Sequence, residues 1–356
     1  MRAFALWKRK TAAAWRRLLP MLLLVLTAGA AAGCSRPERV TRQSFYFDTI
    51  CEITVYDMEK MTEKKASEAI EGAFSLCAGY EKLLSRTVEG SDVDRLNRAG
   101  GAYTELDPRT VDLLRQAEEV WEISGGAFDV TVGPVTRLWD FHGDGQGTVP
   151  DPGIIEEAVR HVGMRHLTIG EDGASLDDPE AAVDLGGIAK GYIADRVAEY
   201  LREQGVTGAV INLGGNIECV GSKPAASFGK EREPFRIGIE LPYSDRTQIL
   251  GSLEVTSGTV VTSGVYERFF VADGKEYHHI LDPATGYPAQ TDVLSVTLVS
   301  QEGRSADCDA LATACLLLGR EQGLALLEAQ DGIEALIVGT DGQLLQTSGM
   351  AYTPAK

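Results

Sequence analysis

An acidic residue, two glycines, a small residue and a lysine stand together in Asp184-Leu185-Gly186-Gly187-Ile188-Ala189-Lys190-Gly191. Glycines there leave room for a ligand beside the main chain and can adopt backbone angles closed to other residues. The spacing that follows predicts an amphipathic helix from Ala189 to about Glu203, whose free N–H groups and positive dipole end face the turn. Such a mouth suits an anion, a phosphate above all; plain turn punctuation is the alternative. No Ser or Thr follows Lys190, so this is not a Walker-type lysine. A second pair, Asp309 and Thr313 in Asp309-Ala310-Leu311-Ala312-Thr313, lies four residues apart and so on one helix face. Both are hard oxygen donors of the kind Mg²⁺ accepts beside waters and substrate phosphates. The bland alternative is an aspartate favourable to its own helix dipole.

Two of the five histidines fall in Tyr277-His278-His279-Ile280-Leu281-Asp282-Pro283-Ala284-Thr285-Gly286. Histidine carries protons near neutral pH, although a pair at a strand end also serves structure alone. Ser124-Gly125-Gly126-Ala127-Phe128-Asp129 is dense in glycine around one aromatic and one acid, and reads either as a ligand loop or as a helix C-cap leading to a short strand. Thr262-Ser263-Gly264-Val265-Tyr266-Glu267-Arg268 reads as a ligand rim.

The surrounding pattern supplies elements to hold these groups. Phe45–Tyr56 alternates and is rich in β-branched and aromatic residues, which predicts a strand. Helical spacing predicts helices at 62–84, 108–123, 154–161, 304–318 and 321–330, with a capped turn at 91–97. Strands are predicted at 167–169, 182–184, 208–217 and 292–300, in a run of short segments between 235 and 281, and at 333–339 and 343–347. Asp273-Gly274 and Ser257-Gly258 read as hairpin turns. Residues 142–153 read as a flexible loop. Strands and helices are partly segregated, so the expected class is α+β, with largely antiparallel sheets layered with helices.

Lys and Arg total 34 against 52 Asp and Glu, a net charge of −18. Six of the basic residues lie in the first 17 positions, leaving 28 against 52, or −24, for the remainder. A surface this acidic excludes nucleic acid as the expected partner, and an anionic ligand would need a cation as intermediary. The N-terminus is a targeting segment, basic to Arg17, apolar from Leu18 to Leu26, then small to Cys34. Ala31-Ala32-Gly33-Cys34 resembles a bacterial lipobox, with Ala31 where a large aliphatic residue is usual. The expectation is a signal peptide over 1–33, a lipidated Cys34, a tether over 34–44, and a catalytic unit over 45–356 that is single or two packed subdomains. An ordinary signal peptide is the alternative. Cys51, Cys77, Cys219, Cys308 and Cys315 form no Cys-x-x-Cys pair, so buried thiols are expected.

Taken in order, Gly126-Ala127-Phe128-Asp129 with Thr131-Val132-Gly133-Pro134, the Asp184 to Gly191 stretch, Asn212-Leu213-Gly214-Gly215-Asn216, Thr262-Ser263-Gly264, His279-Ile280-Leu281-Asp282-Pro283 with Thr285-Gly286, and Asp309 to Thr313 resemble the ApbE family of flavin transferases, many of which are lipoproteins. The resemblance covers nearly all of the chain after Phe45. It implies Mg²⁺-dependent cleavage of FAD at its pyrophosphate and transfer of FMN to a threonine of an acceptor protein, with release of AMP. By motif, Asp309, Thr313 and the Ala189 carbonyl would hold Mg²⁺. Ala127, Phe128, Asp129, Gly186, Lys190 and Ile280 would line the FAD site, while His279 or Asp282 would assist deprotonation of the acceptor. Phe47-Asp48-Thr49 stands where the family often has Met-Gly-Thr, and His278 where a serine often precedes the histidine, so the choice between His278 and His279 stays open. The implied acceptors are membrane redox-pump subunits or exported flavoproteins, reached from the outer face of the cell membrane through the lipid at Cys34. An FAD pyrophosphatase, or a lipoprotein that only binds flavin or another solute, are the competing functions.

Overall fold

The computed structural model describes residues 39–57, 60–141, 147–225, 231–244, 248–300 and 303–355. The targeting segment, Cys34, the first part of the expected tether and residues 142–146 of the expected loop lie outside the described residues.

Strands β1 (Val40–Tyr46) and β2 (Thr49–Val55) open the fold, followed by α1 (Glu63–Leu84), α2 (Asp92–Asn97), β3 (Thr104–Glu105) and α3 (Pro108–Ile123). Helices α4 (Gly133–Thr136) and α5 (Pro152–Arg160) precede β4 (Leu167–Ile169), β5 (Gly173–Leu176) and α6 (Ala189–Glu203). Strands β6 (Gly208–Leu213), β7 (Asn216–Gly221), β8 (Phe235–Glu240), β9 (Ile249–Val255), β10 (Gly258–Gly264), β11 (Phe269–Ala272), β12 (Lys275–His278) and β13 (Val293–Ser300) follow. Helix α7 (Ser305–Glu328), β14 (Ile333–Gly339), β15 (Leu344–Gln346) and β16 (Thr353–Pro354) complete the chain. Helix starts follow side-chain chemistry. Thr62, Ser91 and Asp107 each accept a hydrogen bond from a first-turn N–H, and Pro108 occupies the first helical position of α3, where a missing N–H costs nothing.

An eight-stranded sheet, ordered β1-β2-β6-β7-β10-β13-β14-β15, pairs antiparallel throughout. Its period-2 alternation serves two cores. Ala209, Ile211, Val261, Val296, Leu298, Ala335 and Ile337 join the main core under α1, α6 and α7. Cys219, Val260 and Leu336 turn to a second core against Phe235, Ile237 and Leu253 of the β8-β9-β16 sheet. A third cluster, with Trp139, Phe270 and Leu281, ties α4 and α5 to the β11-β12 hairpin. All five described cysteines are free and buried. The α+β expectation holds.

Four expectations change in detail. Residues 40–44 belong to β1 and not to a tether, and residues 39–356 form one compact unit. The strand expected over 45–56 is a hairpin, because Phe47 and Asp48 both take φ 56°, the paired left-handed conformation of a type I′ turn. Neither is glycine, so the turn left no mark in the sequence. Gly214 (φ 63°) and Gly215 (φ 98°) likewise split 208–217 into β6 and β7. Finally, 182–184 forms no strand beyond one bridge between Val132 and Ala182. The break expected between 318 and 321 is real, since Gly319 (φ 79°, ψ 176°) interrupts α7.

Candidate active site

The site forms where the first turns of α6 and α7 meet. Gly191 lies so close to α7 that a Cβ there would collide with the Ser305 carbonyl. Asp309, one turn into α7 and 2% exposed, aims its carboxylate at the start of α6. Its Oδ2 accepts the Gly191 N–H at 3.0 Å and its Oδ1 lies 3.4 Å from the Lys190 ammonium. The carboxylate therefore caps the neighbouring helix, which the dipole reading restricted to its own helix did not foresee. Thr313, on the same face of α7, donates to the Asp309 carbonyl at 3.4 Å, leaving its oxygen lone pairs for the turn in front.

That turn is held from behind. The Asn97 side-chain amide pairs with both backbone groups of Val183, donating to its carbonyl at 2.9 Å and accepting its N–H at 2.7 Å. Asp184 accepts Gly186 N–H at 2.9 Å and the Thr136 hydroxyl at 2.8 Å, and pairs with Arg86 at 2.9 Å. Its charge is thus offset within the protein. Neither Gly186 nor Gly187 takes a positive φ; space is what requires Gly187. A Cβ there would stand 3.1 Å from the Phe128 ring and 3.5 Å from the Thr313 hydroxyl. Gly187→Ala is expected to raise the Kd for FAD about tenfold while moving Tm little, because one methyl enters the cleft without opening a cavity. Fluorescence titration with FAD checks this.

The glycine-dense loop resolves into both readings. Gly125 (φ 65°) and Gly126 (φ 87°) end α3, with Gly126 N–H bonded to the Trp121 carbonyl at 2.8 Å. Ala127 is half-buried, whereas Phe128, 4% exposed, buttresses Gly187 from the core. Asp129 ties the loop down, accepting Thr131 N–H at 2.7 Å and Met164 N–H at 3.2 Å; burial raises its carboxyl pKa.

The histidine pair separates cleanly. His278 is 8% exposed and its Nε2 meets the Ala289 carbonyl at 3.1 Å, which makes it a packed strand end. His279 is half-buried, and its Nδ1 donates to the Arg268 carbonyl at 3.2 Å, so the lone pair is left on Nε2. The ring keeps partial solvent exposure although protein atoms surround it. Burial first, then the Arg268 charge, lower its pKa to about 3, with Lys190 adding to the effect. Glu267 is exposed to solvent; crowding by protein atoms raises its carboxyl pKa, with Lys190 lowering it and Asp309 raising it.

Two motif residues do other work. Asp282 engages both oxygens in its own turn, accepting Ala284 N–H at 2.8 Å and the Thr285 hydroxyl at 3.0 Å. Asp282 thereby shapes the loop that carries the Gly286 carbonyl to Trp139 Nε1 (2.9 Å), and each of its oxygens keeps a lone pair. Ile280, expected to line the FAD site, is 7% exposed and its side chain packs into the main core. Arg86 and Asn97 escaped the sequence reading, since no spacing links them to Asp184.

Among the described residues no group of three or more His, Cys, Asp or Glu could cage a metal. The donors present fit Mg²⁺ nonetheless. Asp309 and Thr313 offer hard oxygens on one helix face. Such a pair leaves the remaining positions to phosphates and water, as Mg²⁺ prefers.

The sequence signature of the ApbE family matches residues 47–337, and the chain belongs to that family. A Treponema pallidum (strain Nichols) protein named FAD:protein FMN transferase is 34% identical over 352 residues, spanning 96% of this chain and 96% of that protein. A Klebsiella pneumoniae (strain 342) protein of the same name is 37% identical over 280 residues, 77% of this chain and 83% of that one. The structure is similar to that of the Thermotoga maritima ApbE protein, with TM-score 0.77 and 31% identity over 87% of this chain and 97% of the other. It is also similar to the flavin transferase ApbE from Vibrio cholerae, with TM-score 0.76 and 29% identity over 87% and 97%.

Proposed function

We infer that this chain is an FAD:protein FMN transferase that uses Mg²⁺ to move FMN from FAD to a threonine hydroxyl of acceptor proteins. The observation that carries the reading is the convergence of Asp309, Thr313 and Lys190 on one glycine turn. In the step proposed, the threonine Oγ bonds to the FMN phosphorus as the bond from that phosphorus to the bridging oxygen breaks. AMP leaves with the electron pair, and the threonine proton passes to His279 Nε2. Lys190 offsets phosphate charge, Gly187 lets the nucleotide approach, and Asp309, Thr313 and the Ala189 carbonyl would hold Mg²⁺. The ion would supply charge neutralisation, the main requirement of phosphoryl transfer.

One incubation of the protein with FAD, Mg²⁺ and an acceptor domain, followed by chromatography, sorts the competing functions. Covalent flavin with AMP supports transfer, free FMN with AMP supports a pyrophosphatase, and intact FAD supports a pure binder. The chain is proposed to act outside the cell membrane, anchored through lipidated Cys34, where membrane redox-pump subunits or exported flavoproteins would be its acceptors. Labelled palmitate is expected to enter the wild-type protein and not Cys34→Ala; equal labelling of both would overturn the anchor.

A further inference from the structure

The α6–α7 crossing is capped in both directions. Asp309, one turn into α7, accepts the Gly191 N–H of α6 at 3.0 Å. Asp195, nearly two turns into α6, accepts the Ser305 and Ala306 N–H groups of α7 at 3.0 and 3.1 Å. Asp195 is 3% exposed, and burial pushes its carboxyl pKa up to about 6 against those two bonds, so it is ionised at the pH of the assays below. Ser305 is fully buried and accepts the Thr259 hydroxyl at 2.9 Å, which fixes the start of α7 to the sheet as well. Each helix thus holds the other's first turn with a carboxylate, and the two first turns carry the two halves of the site.

The geometry points to Asp195 as a positioning residue for the transfer: by holding the start of α7 against α6 it sets where Asp309 and Thr313 stand relative to Ala189 and Lys190. It touches no substrate and acts through Asp309. The inference rests on the function proposed above. A cap that served stability alone would lower Tm without altering the response to Mg²⁺. A cap that positions Asp309 changes that response beyond what lost stability explains.

Asp195→Asn keeps the shape but sets an NH₂ group against one of two buried N–H donors. The test compares wild type, Asp195→Asn and Asp57→Asn at pH 8. Asp57 is 1% exposed, pairs with Arg232 and holds Thr207 beside the first residue of β6, away from the helix crossing, so it matches the structural loss alone. Two quantities are read: the Mg²⁺ concentration giving half-maximal flavin transfer, and the rise in Tm that Mg²⁺ produces in the presence of FAD. Asp195→Asn is expected to raise the half-maximal Mg²⁺ about tenfold and to shrink the Mg²⁺-dependent rise in Tm, as loss of a partner behind a metal ligand does. Asp57→Asn is expected to change neither. An Asp195→Asn response equal to that of Asp57→Asn overturns the inference. Should Asp195→Asn not accumulate, Asp195→Glu keeps both acceptor oxygens on a longer arm; an unchanged half-maximal Mg²⁺ in that variant also overturns it. A wild-type protein with no Mg²⁺-dependent transfer or Tm rise overturns the proposed function, and this inference with it.

Discussion

Asp309→Ala is expected to lower the rate of flavin transfer by at least about 10³-fold, the scale of a lost charge-stabilising group worth about 4 kcal/mol in the transition state. The substitution removes the Gly191 cap and the partner of Lys190 at once. It also removes one of the two side-chain oxygens on the α7 face. Loss of the cap alone costs about 1 kcal/mol of stability, far short of the catalytic loss, so the variant remains folded. Asp309→Asn separates the contributions, because its amide oxygen can still accept the Gly191 N–H while the charge is gone. Tm is expected near the wild-type value and transfer nearly as low as in Asp309→Ala. A steady-state assay of covalent flavin, run beside thermal denaturation, reads both.

His279→Ala is the second large effect, with an expected loss in kcat of about 10²- to 10⁴-fold and a smaller change in FAD affinity, as for loss of a general base. His278→Ala is expected to lower Tm and leave kcat within about threefold at saturating substrate, because its ring packs at a strand end and does not face the cleft. The pH dependence follows from the sign of the His279 shift. A lowered pKa keeps the ring neutral above about pH 3 in the free protein, so Nε2 can accept a proton throughout the neutral range. A bound pyrophosphate sets negative charge beside the ring and raises that pKa. The acid limb of kcat is therefore expected at higher pH than that of kcat/KM, and both limbs attributable to His279 disappear in His279→Ala. Rate profiles from pH 4 to 9 at saturating and limiting FAD check the order.

Much of the frame was legible because local chemistry decided it. Thr62, Ser91 and Asp107 announce their helices, and the start of α6 at Ala189 follows from glycine and apolar spacing. Hairpins at Phe47-Asp48 and Gly214-Gly215 were hidden because a tight turn between two apolar runs reads as one long strand. The site was legible as a set of motifs but not as a geometry. Spacing put Asp309 and Thr313 on one face, yet only packing shows that Asp309 caps a different helix. Asp282 drew attention through its motif, and the sequence did not show that it also closes the Thr285 turn. Arg86, Asn97 and Asp195 carry no motif of their own, since each acts through a contact made distant in sequence by the fold.

The central claim is that one cleft both splits FAD and hands FMN to a protein hydroxyl. Intact-mass spectrometry of an acceptor domain after incubation with FAD and Mg²⁺ tests it most directly, run beside the same domain with its target threonine changed to alanine. The expected result is one FMN added to the threonine-bearing acceptor with one AMP released, no addition to the alanine form, and no addition by Asp309→Ala. FMN and AMP appearing in equal amounts with the acceptor mass unchanged would contradict the account.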